Sequence, residues 1–189
     1  MKRIVIFASG SGTNAENLIK FFHNRENASV IQVLTNNPRA KVLDRCKKLN
    51  VSALSFNRTA FTKTTDVLDL LKNSQPDLIV LAGFLWKFPE NILQHFPNKV
   101  INVHPALLPK YGGKGMYGMH VHEAVVNNKE KETGITIHYV NEHYDEGAII
   151  FQAKCKVNTT DSAEDVAKKI HLLEMEHFPE VVNQVLFSE

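Results

Sequence analysis

Short, continuously apolar segments alternate with amphipathic segments along the first half of the chain. The apolar segments read RIVIFAS, SVIQVL, VSALSF, DLIVLAGF and KVINVH. They are rich in β-branched residues and lack a regular polar alternation, which is typical of strands buried on both faces of a parallel sheet. Their alternation with helices predicts an α/β fold with a doubly wound, mostly parallel sheet and helices on both faces.

Between these strands, apolar residues recur at the spacing of a helix that buries one face. In the first of these segments, Leu18, Ile19 and Phe22 share such a face. The pattern predicts helices at about 14–23, 41–49, 64–72 and 90–95.

From Gly134 onward the pattern changes. GITIHYV and AIIFQAKCKV predict two longer strands, and the connecting NEHYDEG indicates an antiparallel, hairpin-like C-terminal excursion. A closing helix is predicted from Ser162, a candidate N-cap, to about Val185, with Pro179 bending or interrupting it. Because no repeat, low-complexity tract or linker divides the sequence, we expect a single domain over residues 1–189.

Composition excludes some classes of protein. The chain is 43% hydrophobic and 22% charged, as in ordinary globular domains. Its 22 Lys and Arg against 20 Asp and Glu, with no basic run, argue against a nucleic-acid partner. The first apolar run is too short for a signal peptide, and none reaches the roughly 20 residues of a membrane span. With only Cys46 and Cys155, far apart, we expect a cytoplasmic protein with reduced thiols and no membrane contact.

The glycine-rich segment ASGSGTNAENL joins the first strand to the first helix. From Gly10 it fits the G-x-G-x-x-A pattern of dinucleotide-binding loops, and N–H groups at a helix start favour an anion. The second strand ends in LTNNPRA without the usual ribose-binding carboxylate, although Arg39 could serve a 2′-phosphate and leaves an NADP-binding reductase open. The lysine of a P-loop is missing. We therefore predict a phosphate cradle at Gly12, Thr13 and Asn14.

Two polar residues stand at the carboxyl end of the apolar strand KVINVH. Asn102 and His104 are two apart and share one face, and ligands of open α/β sheets bind beyond this end of the strands. An amide donor beside an imidazole suits a reaction that develops negative charge on a carbonyl oxygen and transfers a proton. Asp145, in the loop NEHYDEG, would complete an acid–base set. His138 is interpreted as a sheet residue behind this set.

A metal site is the competing interpretation, because His120 and His122 occur together in HVH. In a helix these two side chains would point to different faces, and no cluster of Cys or Glu completes a ligand set. We therefore expect no metal.

The motifs ASGSGTN, LAGF, INVHPALLPKY and DEGAIIFQ follow one another over nearly the whole chain. Together they resemble the formyl-folate transferases and hydrolases, for which Asn-x-His-Pro-x-Leu-Leu-Pro with a downstream Asp-x-Gly is specific. The length resembles the single-domain enzymes of purine synthesis rather than the methionyl-tRNA formyltransferases or the formyltetrahydrofolate deformylases, which carry an additional domain. The resemblance implies a Rossmann-like formyltransferase fold.

The same resemblance implies an activity. A formyl group would pass from the cosubstrate 10-formyltetrahydrofolate to the amine of glycinamide ribonucleotide, without a metal. The partners would be small-molecule substrates, and the protein would be a monomer or a homodimer. The single domain would comprise a phosphate-binding half at about 1–100 and a catalytic and folate-binding half at about 101–189.

By position, the resemblance also assigns residues. The catalytic set falls on Asn102, a protonated His104, and Asp145. The substrate-binding residues fall on Gly12, Thr13 and Asn14 for the phosphate and on Glu174 for the amine. The folate-binding residues fall on Arg58, Leu85, Trp86, Lys87, Phe88 and Asn102. Trp86 stands where bacterial relatives often have Arg, and the loop at 111–122 is longer than usual.

Two further interpretations remain open. The formyl acceptor could be another amine, such as that of an amino sugar nucleotide. From a different class, an NADP-binding reductase or a non-catalytic nucleotide-binding module would share the glycine-rich loop. The reductase and the nucleotide-binding module would not need Asn102, His104 and Asp145 together.

Overall fold

A seven-stranded sheet runs through the computed structural model, which describes residues 1–188. The strand order is β3-β2-β1-β4-β5-β6-β7. The strands are β1 (Lys2–Phe7), β2 (Ala28–Thr35), β3 (Ser52–Ser55), β4 (Leu78–Leu81), β5 (Val100–His104), β6 (Glu132–Tyr139) and β7 (Ile149–Lys156). The first five strands are parallel, and β6 and β7 add antiparallel to the β5 edge. The predicted α/β fold with its antiparallel excursion is confirmed.

Seven helices flank the sheet within the described residues. They are α1 (Thr13–His23), α2 (Val42–Lys48), α3 (Arg58–Thr62), α4 (Asp66–Ser74), α5 (Glu90–His95), α6 (Met119–Asn127) and α7 (Ala163–Phe187). Each predicted helix is present, with ends shifted by no more than a few residues. The sequence pattern did not predict α3, which is very short, or α6, which follows a glycine-rich loop that hides its start.

The last helix is continuous from its N-cap to its end. Ser162 and Asp165 form a capping box, in which each side chain accepts the backbone N–H of the other at 3.2 Å. Pro179 lies inside this helix and is buried. The expectation that Pro179 could interrupt the helix is wrong, because the buried neighbours Phe178 and Val182 keep this turn packed against the core.

The central strands β1, β4 and β5 are buried on both faces of the sheet, which explains why their sequences are continuously apolar, whereas the edge strands β3 and β7 are partly exposed. Ile4 and Ile6 of β1 belong to one cluster of buried side chains, which includes residues of α1 and α7. Val5 and Phe7 point the other way, into a second cluster that includes residues of α4 and α5. Among residues 1–188, no helix combines the length and apolarity needed to cross a membrane.

Both cysteines are free thiols, as expected. Cys46 on α2 is fully buried, and burial raises the pKa of its thiol to about 11. A thiol with so high a pKa stays protonated and behaves as a small apolar side chain.

The strand order determines where a ligand can bind. The connection after β1 runs towards β2 on one side of the sheet, whereas the connection after β4 runs towards β5 on the other side. Crevices at such a switch point, beyond the carboxyl ends of the strands, are the usual ligand sites of open α/β sheets. Here the N–H of Ser9 donates to the carbonyl of Gly83 at 3.0 Å, which joins the loops that follow β1 and β4.

Candidate active site

An open cavity of about 660 Å³ lies beyond the carboxyl ends of β1, β4 and β5. Its wall contains all the predicted site residues except Arg58: Gly12, Thr13, Asn14, Leu85, Trp86, Lys87, Phe88, Asn102, His104, Asp145 and Glu174. The fold thus brings together residues from five separate segments. Their individual roles remain predictions.

His104 lies at the tip of β5 and is almost completely buried. Its Nε2 lies 2.7 Å from the carbonyl oxygen of Tyr111, and its Nδ1 lies 3.5 Å from Oδ1 of Asp145. Since a carbonyl only accepts, Nε2 carries a proton and donates it. With an acceptor facing each ring nitrogen, the arrangement suits a doubly protonated, charged imidazole.

Asp145 is held in a tight turn between β6 and β7. Its backbone has φ 57°, in the left-handed region, and its Oδ2 accepts the N–H of Gly113 at 2.9 Å. The turn is possible because Gly147 follows, where a Cβ would lie 1.6 Å from the carbonyl oxygen of Tyr139. The carboxylate also lies 3.7 Å from Nε2 of His138, so it faces two imidazoles.

Asn102 faces β6, the antiparallel neighbour of its own strand. It is paired in register with His138, and its Nδ2 lies 3.1 Å from Nε2 of that imidazole. Nδ1 of His138 lies 2.9 Å from the carbonyl of Tyr139 and must donate to it, so Nε2 is the acceptor. Burial lowers the pKa of His138, which favours this neutral form, although the Tyr139 carbonyl and Asp145 oppose the shift.

His122 on α6 also contributes to the cavity wall and is buried. Burial lowers its pKa, and the nearby His104 lowers it further. Within residues 1–188 its Nδ1 has no hydrogen-bond partner. His120, by contrast, is exposed, so the two histidines of HVH point to different sides of the helix as expected. No group of three or more metal-ligating side chains occurs in the described part of the chain.

The glycine-rich loop passes directly into α1. Gly12 is the N-cap residue, with φ 73°, and a Cβ at this position would lie 2.3 Å from Cγ2 of Val42. Only glycine therefore combines this backbone conformation with the close approach of α2. Gly12, Thr13 and Asn14 line the cavity, so the free N–H groups at the start of α1 offer a site for an anion there.

Glu174 reaches the same region from α7. Its Oε2 accepts a hydrogen bond from Nδ2 of Asn14 at 2.8 Å, and Nδ1 of His171 lies 3.7 Å away. Burial raises the pKa of this carboxyl above its ordinary range, although Asn14 and His171 act in the opposite direction. Oδ1 of Asn14 is buried and has no partner among the described residues. The Glu174 carboxylate and Oδ1 of Asn14 are therefore two acceptors that could receive hydrogen bonds from the amine of a ligand.

The segment after β4 forms an aromatic wall. Phe88 is buried and packs edge-on against Phe7, with ring centroids 5.1 Å apart, whereas Leu85 is exposed. Trp86 is half-buried against Phe56, with ring centroids 6.1 Å apart. Arg58 does not line the cavity, but its guanidinium lies 5.1 Å from the ring centroid of Trp86 in a cation–π contact.

Sequence reasoning missed two contributions to this site. It treated His138 as a residue behind the catalytic set, whereas His138 lines the cavity and orients Asn102. It did not identify Tyr111, which contributes through its main chain and therefore leaves no side-chain signal. A signal for His138 existed in its alternation with Thr136 along β6, which places both on one face, but only the strand register connects it to Asn102.

Comparisons with known proteins agree with this geometry. Residues 2–182 match the formyl transferase family. Phosphoribosylglycinamide formyltransferase of Bacillus subtilis is 32% identical over 98% of this chain and 95% of its own length. The chloroplastic enzyme of that name from Arabidopsis thaliana is 32% identical over 97% of this chain, which spans only 65% of that relative. The crystal structure of the Bacillus halodurans enzyme superposes with a TM-score of 0.89 at 32% identity, covering 99% of this chain and 96% of that one. The chain therefore belongs to the formyl transferase family.

Proposed function

We propose that this protein transfers the formyl group of 10-formyltetrahydrofolate to the amine of glycinamide ribonucleotide in purine biosynthesis. One observation carries the proposal: an anion-binding loop, an aromatic wall and an amide–imidazole–carboxylate set converge on a single cavity. A reaction that joins a phosphorylated amine to a folate needs all three. Membership of the formyl transferase family supports the same reaction.

The ribonucleotide binds on the α1 side of the cavity. Its phosphate accepts hydrogen bonds from the backbone N–H groups of Gly12, Thr13 and Asn14, at the positive end of the α1 dipole. Its amine lies towards Glu174 and the unpartnered Oδ1 of Asn14, which offer acceptors. These acceptors hold the nitrogen with its lone pair free to attack.

The folate binds on the β4 side. A pterin requires a flat apolar slot with a few polar contacts, and Leu85, Trp86 and Phe88 border such a slot. Lys87, together with Arg58 behind Trp86, provides positive charge for the glutamate tail. The formyl group then points to the tip of β5, where Asn102 lies.

The chemistry proceeds through a tetrahedral intermediate. The amine attacks the formyl carbon, and the negative charge on the formyl oxygen is stabilised by the second N–H of Asn102 and by Nδ1–H of His104. At 3.5 Å from Nδ1, Asp145 stabilises the positive imidazole without binding it closely, so Nδ1–H stays available to the substrate in the ring orientation observed. The amine loses a proton through water held at Asp145, and N10 of the folate receives one as it leaves.

The proposal extends to partners, location and organisation. It requires only small-molecule substrates, and a net charge of +2 without a basic run supports the absence of a nucleic-acid partner. Action in the cytoplasm and a monomeric or homodimeric state are part of the same proposal. The division near residue 100 into a phosphate-binding and a catalytic half is a looser guide, because the folate-side residues Leu85 and Trp86 precede it.

A direct assay tests the function. The purified protein is incubated with glycinamide ribonucleotide and 10-formyltetrahydrofolate, and release of tetrahydrofolate is followed by absorbance. Turnover is expected with this acceptor and not with an amino sugar nucleotide. Preference for the amino sugar nucleotide, or no turnover alongside saturable binding of NADPH, would overturn the proposal. Arg39, which an NADP enzyme would use, is not among the described residues that line the cavity.

A further inference from the structure

The segment 111–113 contacts His104 at its first residue and Asp145 at its last. The carbonyl oxygen of Tyr111 accepts from Nε2 of His104 at 2.7 Å, and the N–H of Gly113 donates to Oδ2 of Asp145 at 2.9 Å. Between them, Gly112 is packed so closely that a Cβ there would lie 3.2 Å from Cβ of Asp145. This short segment therefore sets the imidazole and the carboxylate relative to each other.

The conformation of Tyr111 is unfavourable by itself. Its φ is 57°, in the left-handed region that bulky side chains avoid because Cβ crowds the following carbonyl. Such a conformation persists where surrounding contacts impose it. Besides the main-chain bond to His104, two hydrogen bonds of the side chain hold Tyr111 in place.

The phenol of Tyr111 is anchored outside the cavity. Its hydroxyl donates to Oε1 of Glu130 at 2.9 Å and accepts from Nδ2 of Asn128 at 2.9 Å. Both partners lie just after α6, and Nζ of Lys110 donates to the same oxygen of Glu130 at 3.0 Å. Burial raises the pKa of Tyr111, so its hydroxyl keeps its proton, and Lys110 and Tyr111 lower the pKa of Glu130, so that carboxyl is an ionised acceptor.

We propose that Tyr111 is a positioning residue for formyl transfer: its phenol, anchored by Glu130 and Asn128, fixes the main-chain carbonyl that orients His104. The carbonyl keeps a proton on Nε2 and thereby directs Nδ1 towards Asp145 and the cavity. Without the anchor, Tyr111 relaxes to an ordinary backbone conformation and both catalytic contacts loosen. The inference rests on the proposed function only for its kinetic readout.

Four variants of the full chain test the anchor. Tyr111→Phe removes the hydroxyl, and Glu130→Ala removes its acceptor; each is expected to lower kcat between about 10-fold and 100-fold, as loss of supporting contacts typically does. KM for both substrates should change little, because neither residue touches a substrate. Glu130→Gln retains an accepting oxygen and should restore most of the turnover. Glu132→Ala is the matched control: it removes the same charge two positions on, where Glu132 pairs with Lys154 at 2.8 Å on the surface.

A second measurement does not depend on turnover. Heteronuclear NMR of the imidazole nitrogens, assigned to His104 by the signal that disappears in His104→Ala, reports whether Nε2–H is held. We expect a slowly exchanging Nε2–H in the parent, Glu130→Gln and Glu132→Ala, and rapid exchange in Tyr111→Phe and Glu130→Ala. Unchanged kcat and an unchanged His104 signal in Tyr111→Phe and Glu130→Ala would overturn the inference. A parent without formyl transfer would refute the proposed function instead, while the NMR comparison still decides the anchor.

Discussion

Asn102 donates a hydrogen bond from Nδ2 to Nε2 of His138, 3.1 Å away on the neighbouring antiparallel strand. Because the other nitrogen of His138 must donate to the Tyr139 carbonyl, the direction of this bond is fixed, and so is the orientation of the Asn102 amide. One N–H of the amide is thus used by the protein. The other remains for a ligand, which is the orientation that a developing oxyanion requires.

The first prediction concerns the catalytic set. Asn102→Ala, His104→Ala and Asp145→Asn are each expected to lower kcat by about 100-fold or more, as for removal of an oxyanion donor or of acid–base help. Combined variants should lose little more than single ones, since residues that act as a unit fail together. The control is Glu142→Gln, an exposed carboxylate in the loop of Asp145. Parent-like kcat in all three variants, with unchanged Tm, would contradict the mechanism.

The second prediction concerns the phosphate loop. Gly12→Ala forces a Cβ to within 2.3 Å of Val42 at φ 73°, so we expect a loss of stability of about 1–3 kcal/mol. Because the loop N–H groups also shift, KM for the ribonucleotide should rise far more than KM for the folate. Inorganic phosphate should compete with the ribonucleotide in the parent, and less effectively in the variant. Equal changes in the KM values for the ribonucleotide and the folate would show that the phosphate does not bind at this loop.

The third prediction uses Trp86, the single tryptophan of the chain. Its ring is half-buried between the aromatic cluster and Arg58, at the edge of the cavity. Binding of a folate analogue should change the polarity around the ring and therefore shift its fluorescence emission. Glycinamide ribonucleotide alone should leave the emission unchanged. An emission spectrum that saturating analogue does not alter would exclude Trp86 as a folate contact.

The fourth prediction is a pH dependence at Glu174. Because burial raises its pKa in the folded state, the folded protein holds this proton more tightly than the unfolded chain does. The resulting stabilisation is fully present below the ordinary carboxyl pKa of about 4.3 and is lost as the pH rises through the raised value. Glu174→Gln cannot ionise, so its Tm should match the parent at acidic pH and exceed it at neutral pH.

The size of this effect can be read from Tm, since each kcal/mol corresponds to about 2–4 °C in a chain of this size. Glu176→Gln, an exposed carboxylate on the same helix, is the control and should follow the parent at every pH. A Tm difference for Glu174→Gln that stays constant across the pH range would show that the carboxyl is not perturbed. The same variant should raise KM for the ribonucleotide, because an ionised acceptor for the amine is lost.

Sequence patterns predicted the sheet because its central strands, β1, β4 and β5, are buried on both faces. The consecutive residues Ile4 and Val5 pack into different clusters on opposite faces of the sheet, so no polar face interrupts the run of apolar residues. Asn102 and His104 were recognised as candidate site residues for the same reason, because they are polar residues in an otherwise apolar strand. Helix α6 was not predicted because it begins after a glycine-rich loop, where the sequence shows neither a capping residue nor a helical spacing of apolar residues.

The rest of the site depends on pairings that a sequence does not display. His138 meets Asn102 only through the register of β5 against β6, and Tyr111 acts through a carbonyl group that every residue possesses. Arg58, which is predicted to contact the folate, does not line the cavity itself and lies over the ring of Trp86, which does. Spacing along the chain therefore located the strand that carries the predicted catalytic residues, whereas the contacts that orient its side chains depend on the three-dimensional structure.

The strand that carries Asn102 and His104 is bonded on both sides, to β4 and to β6, whereas Asp145 lies in a surface loop. Amides in a central strand exchange with solvent mainly when the whole domain opens, but a loop opens locally and often. The strand that carries the proposed oxyanion donors is thus as stable as the fold, whereas the loop that carries Asp145 is not. Under mild denaturant, hydrogen exchange should spread through residues 141–147 while β5 stays protected, and turnover should disappear before the sheet does.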